Sequence, residues 1–561
     1  MRIVINNMRC KYIIKLIITV KSAMKIKYLA YLIAALSATT LTACGGDDNG
    51  SNNSSNNDDG GSQIADKDSD TIADASDNCP DDANTDQKDS DANGKGDACD
   101  ALPTQYSFTS QFEGFVDESS VSYSGQTTRQ VLIADLTSAV KALTEDNSKT
   151  ADDVKNDLMF YVSGDVDGAT YNFSVDGQTV TPSTTYGDIS TGKNLSGKIA
   201  GGNGEGGGET GTLVSDFFGW EDGMDATPLP IELLENYISE VATLATDGTS
   251  VSIDTATGTV TVDDVTVDQY GRDYDQLIQK FVLGAVAFSQ GTADYLKTDF
   301  ANSNAQAEGK AYSTSEHKWD EAFGYFGAAR DYNDYTDLEI RAASGRPEYA
   351  SGYHDTNGDG LIDLRAEINL ANSTNCAKRD VGTAGNAAAT DFTKDVFDAF
   401  LLGRRVLNNA AGGTLTADQQ TVLDEQIEIA AVTWEKCVAA TVVHYINDVT
   451  GDMDNFTADN AFADAANFTD LAKHWSEMKG FALGLQFSPY SPFRSGDVTD
   501  IDVDDLKKVL SLMGDAPVLA DGTQMGAAFT GGVDQYKTDL IEARDILQQA
   551  YGFDTTNTAN W

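Results

Sequence analysis

Two short stretches of the chain carry residue types able to do chemistry. Lys473-His474-Trp475-Ser476-Glu477-Met478-Lys479-Gly480 sets a carboxylate three positions after a His, and Glu316-His317-Lys318-Trp319-Asp320-Glu321-Ala322-Phe323-Gly324 repeats the order upstream. Residues at i and i+3 share a helix face, so each stretch turns an imidazole and an acid to one side. Two such turns meeting inside a bundle would bind iron, another transition metal or a polar ligand. The competing reading makes each His a hydrogen-bonded core residue beside its Trp. Trp434, Cys437 and His444 fall on one strip of a further helical stretch and would add a wall. The expected pocket is therefore lined by His317, Asp320, Glu321, His444, His474 and Glu477.

A different chemistry is written in aspartates. Asp66, Asp68, Asp70, Asp74 and Asp77 hold positions 1, 3, 5, 9 and 12 of a loop, and Asp89, Asp91, Asn93, Asp97 and Asp100 hold the same positions of a second, with Gly94 at its sharp turn. That spacing wraps hard oxygen donors around one calcium ion. With Asp77-Asn78-Cys79-Pro80 between the loops and Gly96-Asp97-Ala98-Cys99-Asp100 closing the unit, the pair resembles the thrombospondin type 3 repeat. The resemblance implies a segment that calcium orders in place of a hydrophobic core. A third loop offers Asp355, Asn357, Asp359, the carbonyl of Leu361, and Asp363, with Gly360 at the turn. Ala366 stands at its position 12, so Glu367 reaches in from one residue late or water completes the shell.

What must hold these groups in place begins with where the chain is sent. Acidic residues number 88 against 38 basic ones, a formal net charge of −50 over 561 residues. Such a surface repels nucleic acid and attracts cations. The first 43 residues hold seven bases (Arg2, Arg9, Lys11, Lys15, Lys21, Lys25, Lys27) and no acid, so their removal takes the charge to −57. From Met24, the expected start, Lys25-Ile26-Lys27 precedes an apolar run from Tyr28 to Leu41, the build of a secretory signal over residues 1–43. Leu41-Thr42-Ala43-Cys44 resembles the bacterial lipobox, which implies acylation of Cys44 (palmitate among its chains) and firm membrane anchoring. Gly45 in place of Asp resembles the arrangement sorted to the outer membrane. Residues 44–62, built from Gly, Asp, Asn and Ser, read as a flexible tether, and 63–101 as the calcium repeat. Beyond the leader, Cys79, Cys99, Cys376 and Cys437 make an even set suited to an oxidising compartment. Cys79–Cys99 and Cys376–Cys437 are the expected bonds, with two buried thiols as the alternative for the second pair.

Residues 105–561 read as one large, mainly α-helical bundle domain of two related halves, about 105–340 and 341–561. Helical periodicity covers 124–143, 231–244, 274–290, 316–331, 392–407, 417–448, 470–486, 503–513 and 534–551, and Thr416 with Gln419 spells a capping box for the longest. Val251-Ser252-Ile253 and Val260-Thr261-Val262 read as a hairpin decorating the surface. Gly202-Asn203-Gly204-Glu205-Gly206-Gly207 has a dinucleotide-binding spelling, but no β-branched strand enters it and its nearest charges are acidic, which would repel phosphate.

Trp319 to Tyr325, Asp355 to Glu367, Ala377-Lys378-Arg379-Asp380, Trp434 to Asn447 and His474 to Gly480 together resemble domain-of-unknown-function family 4856. The resemblance spans about 105–560 and implies a bacterial envelope lipoprotein of no assigned activity. His474-x-x-Glu477 is also similar to the inner part of the Gly-x-His-x-x-Glu motif of the imelysin group, helical periplasmic proteins linked to iron uptake and formerly classed as peptidases. Ala472 stands where that motif has Gly. Only four His exist and no His-Glu-x-x-His or Gly-x-Ser-x-Gly occurs, so hydrolysis lacks its usual parts. The leading expectation is a calcium-binding, lipid-anchored outer-membrane protein whose helical domain takes a metal or metal chelate for a partner transporter. The alternatives are a structural or adhesive surface lipoprotein, on the periplasmic or outer face, and a metal-dependent peptidase of imelysin type. Nucleic acid is not an expected partner.

Overall fold

The computed structural model describes residues 65–561, apart from 147, 183, 201–216, 219–228 and 248–249. The signal, Cys44, the tether and the glycine-rich segment lie outside the described residues. Residues 65–561 group into one compact unit.

The chain is helical because its apolar residues recur at helical spacing and its helix starts are capped. In order come α1 (Ser124–Lys141), α2 (Ala151–Ser163), α3 (Pro230–Asp247), α4 (Tyr274–Val282), α5 (Thr314–Phe326), α6 (Asn372–Gly382), α7 (Phe392–Asn409), α8 (Ala417–Asp454), α9 (Ala465–Gly484), α10 (Val503–Met513) and α11 (Gly532–Tyr551). Thr416 and Gln419 form the reciprocal cap that their spacing predicts. At 38 residues α8 is about 57 Å long. Its middle carries Ala430, Ala431, Trp434, Cys437, Ala439, Ala440, Val442 and Val443 with no exposed surface, and α6, α7, α9 and α11 pack around it.

Several expected boundaries move for identifiable reasons. The helix expected over 316–331 stops at Phe326, because Gly327 takes the left-handed conformation at φ 87°. The helix expected over 274–290 leaves α geometry after Val282 and continues as two wide π turns, Leu283–Phe288 and Gln290–Tyr295. There the backbone of Gly284 meets that of Gly484 in α9 so closely that a Cβ on Gly284 would stand 2.7 Å from the Gly484 Cα. The hairpin pairs as expected, Val251 opposite Val262, but one face of it is core: Val251, Ile253 and Val262 are buried. The helices α2 and α6 were not expected, being rich in Asp, Asn and Ser.

Both disulfides form, Cys79–Cys99 and Cys376–Cys437. The second fastens α6 to α8. Among the described residues no helix is long and apolar enough to cross a membrane.

Candidate functional site

All three aspartate loops are built on one hydrogen-bond frame. The N–H of loop residue 6 donates to the carboxylate of residue 1: Thr71 to Asp66 at 3.2 Å, Gly94 to Asp89 and Gly360 to Asp355 at 2.8 Å. Residue 5 donates to residue 3, as Asp70 to Asp68, Asn93 to Asp91 and Asp359 to Asn357. Residue 7 donates to residue 5 at 2.8 Å, from Ile72, Lys95 and Leu361. Residue 6 is left-handed each time, which Gly94 and Gly360 adopt freely and Thr71, at φ 83°, does not.

The loops differ in how they close. Asp74 and Asp97 each accept the N–H of residue 2, from Lys67 and Ser90. In the third loop Glu367 takes that donor, from Thr356 at 2.9 Å, and also accepts the Asp363 N–H at 2.8 Å, while Arg365 forks Asp363. Glu367 therefore ties the two ends of the loop together. The second loop faces the bundle. Arg405 on α7 donates to Asp91 at 3.0 Å and to Asp100 at 2.8 Å, Asn409 donates to Asp91, and Asn93 bridges Asp91 and Asp100.

The first loop gathers its charges. Oxygens of Asp66, Asp68 and Asp70 lie within 4.8 Å of one another, the one such group among the described residues. Asp66 Oδ1, Asp68 Oδ2 and Asp77 Oδ2 are buried without a hydrogen-bond donor. Burial and the neighbouring carboxylates hold the Asp68 carboxyl above its usual range. Crowded, hard, anionic oxygens without donors are the environment a divalent cation relieves, so the donor set fits calcium.

The two His-bearing turns do not converge. On α5, Asp320 is fully buried and accepts from Tyr106 at 2.8 Å, the Ser122 N–H at 2.9 Å and Arg404 Nε at 2.8 Å. Arg404 also donates to Glu316 at 2.6 Å. His317 points away from this triad, donates through Nδ1 to the Ser122 carbonyl at 2.8 Å and stacks on Tyr312. Glu321 accepts from Gln126 at 3.0 Å. None of these partners is shared with His474 or Glu477, and the π turn Leu283–Phe288 packs against both α5 and α9. The common pocket for His317, Asp320 and Glu321 with His444, His474 and Glu477 is thus replaced by a structural salt bridge upstream and a separate cluster downstream.

The downstream cluster is where α6, α8, α9 and α4 meet. His444, Asp448 and Asp452 follow one another at i, i+4 and i+8 along α8. His444 Nε2 lies 3.2 Å from Asp448, and His474 Nδ1 lies 2.8 Å from Asp452. Glu477 is 3.3 Å from Lys280 of α4, and Tyr445 stacks with His474. Lys378 and Arg379 of α6 complete the group. Burial, then the Arg379 charge, depresses His444 to about 3. Burial also opposes charge on His474, but Asp452, Asp448 and Glu477 outweigh it and raise the imidazole above its usual range. Lys378 keeps an exposed surface, and desolvation of its ammonium, then the Lys280 and Arg379 charges, push it down to about 8, while burial pushes Arg379 to about 10. Asp448, Asp452, Lys280, Lys378 and Arg379 went unrecognised as site residues. The four-residue spacing from His444 was a usable signal for the two aspartates, but the expected helix ended at Asp448, short of Asp452.

Next to α4, a cavity of about 570 Å³ is lined by Lys141, Asp263, Asp264, Thr266, Asp273 and Asp275. Burial, then Asp275 and Asp264, raises Asp273 to about 7.

Residues 231–488, which include both His-bearing turns, the third aspartate loop and the downstream cluster, match the family model described as Domain of unknown function (DUF4856). No curated protein and no solved structure matches the chain.

Proposed function

We propose, for a chain whose middle segment is similar to that family, a calcium-binding lipoprotein held to the bacterial outer membrane through acylated Cys44, with the helical domain as its binding head. The observation that carries the calcium reading is the set of donorless carboxylate oxygens on Asp66, Asp68 and Asp77 beside Asp70. A second one supports it: Cys79 is the one buried hydrophobic side chain between residues 65 and 101. A segment this poor in apolar contacts needs a disulfide and an ion to hold one conformation. Calorimetric titration of the chelator-stripped mature chain tests this. Calcium binding with micromolar or tighter affinity, reduced in stoichiometry by Asp68→Ala with Asp70→Ala, is expected. Absence of binding heat, with equal proteolysis of residues 65–101 in calcium and in chelator, overturns it.

The two His–Asp pairs of the downstream cluster favour a second reading, an accessory to metal uptake in which the head takes iron, another transition metal or its chelate for a partner transporter. Transition metal that survives chelator washing and is lost in His474→Ala supports uptake. Calcium alone in the purified protein favours a structural or adhesive role.

A further inference from the structure

The chain carries 88 acids against 38 bases, so a cation without a carboxylate partner is unusual in it. The downstream cluster concentrates such cations. Asp452 pairs with His474 and Glu477 with Lys280, whereas Asp448 lies 3.2 Å from a neutral His444 and its charge, like that of Asp380, reaches Arg379 from beyond ion-pair distance. The backbone carbonyl of Trp561 nearby accepts from Asn447 at 3.0 Å. Arg379, Lys378 and Arg341 lie within range of one another's charge, and no carboxylate stands within ion-pair distance of any of the three among the described residues.

Arg379 is the informative member. It is 6 % exposed, and its Nε is buried with no acceptor. A sheltered Nε–H left without an acceptor loses hydration and gains no hydrogen bond in return. It is also held in place. The Cys376–Cys437 bond fastens α6 three residues earlier, and Trp561 Nε1 donates to the Arg379 carbonyl at 3.0 Å. A fixed planar fork of donors is the arrangement that grips a planar carboxylate or a phosphate face in two places. The flanking Lys378 and Arg341 add attraction without competing for the same geometry.

We propose that the junction of α6 and α8 around Arg379 is a binding site for a small oxyanion-bearing ligand, a carboxylate or a phosphate, with Arg379 as its anchor and Lys378 and Arg341 as its electrostatic rim. The site is separate from the calcium loops and shares its cluster with His444 and His474. The overall field of the protein repels anions, so capture depends on the contacts at Arg379 rather than on long-range steering.

The test is calorimetric titration of the mature, calcium-loaded chain with succinate and with sulfate, at constant free calcium. Saturable binding of one equivalent of succinate or sulfate is expected, and the preferred probe separates a carboxylate ligand from a phosphate-like one. Arg379→Gln should weaken the binding at least tenfold. Arg379→Lys, which keeps the charge and loses the fork, should fall between. Lys508→Gln, at an exposed residue of α10 that pairs with Glu542 of α11, should leave it unchanged. If Arg379→Gln does not fold, Lys378→Gln at the exposed rim serves in its place, with a fewfold loss expected. No binding of either anion at millimolar concentration overturns the proposal, as does equal affinity in wild type and the folded Arg379 or Lys378 variant. Calcium affinity is measured on the same samples and should not move.

Discussion

At the scale of single residues, the physical question is what each buried charge is for. Arg404, Glu316 and Asp320 have no exposed surface, and the two carboxyls share the one guanidinium across α5 and α7, with Tyr106 and Asn408 filling remaining bonding positions. Removing one partner strands the others. Arg404→Met is expected to cost about 3–5 kcal/mol in denaturant unfolding, much of it recovered when Glu316→Gln and Asp320→Asn are added. Glu435 is the opposite case, a fully buried acid whose Oε1 accepts from Tyr551 at 2.8 Å and which has no basic group within ion-pair distance among the described residues. Burial raises it to about 7 from an ordinary 4.5. The folded state therefore keeps a proton that the unfolded chain has lost. The contribution to stability is full below pH ~4.5, declines as pH rises toward ~7, and stays low above that. Glu435→Gln should leave stability at pH 4 nearly unchanged and increase it at pH 8 by about 3 kcal/mol at most. Unfolding midpoints of both proteins at the two pH values check this, and equal pH dependence would contradict it.

At the scale of elements, α8 is the member against which the others are placed, and α6 is its most dependent neighbour. With Asn372, Ser373, Asn375, Arg379 and Asp380 buried, α6 brings little apolar surface to the contact. The Cys376–Cys437 bond, closing a separation of 61 residues, compensates by limiting the unfolded chain. Replacing both cysteines with Ala should lower stability by about 4 kcal/mol on the chain-entropy estimate. It should also raise amide exchange in α6 before α7 or α9 responds. Uniform exchange across all helices would show that α6 is held by packing alone.

At the scale of the whole molecule, the contact between the proposed calcium repeat and the bundle rests on polar groups. Arg405 and Asn409 grip Asp91 and Asp100, residues that also belong to the second loop's oxygen set. The proposed ion binding therefore draws on the side chains that make this contact. Arg405→Ala is expected to raise hydrogen exchange across 88–101 at saturating calcium while exchange in 66–77 stays as in wild type. A rise in both loops would mean that the repeat behaves as one block, and no change would remove Arg405 from the contact. The excess of 88 acids over 38 bases acts at this scale too: added salt screens self-repulsion and should raise the melting temperature.

The sequence by itself determined whatever depends on local spacing. The aspartate loops, the capping box at Thr416, the hairpin and the mainly helical class are all set by residues within a few positions of one another, so periodicity and turn chemistry made them legible. Both disulfides were anticipated from cysteine count. Tertiary structure alone decided where the His-bearing turns look. Asp320 and Glu477 occupy equivalent places after their His residues, yet one is neutralised by Arg404, 84 residues away, and the other by Lys280, which lies 197 residues upstream. A helix face specifies which side chains travel together. It does not specify the partner that the fold delivers to them, because that partner comes from another element and is chosen by packing.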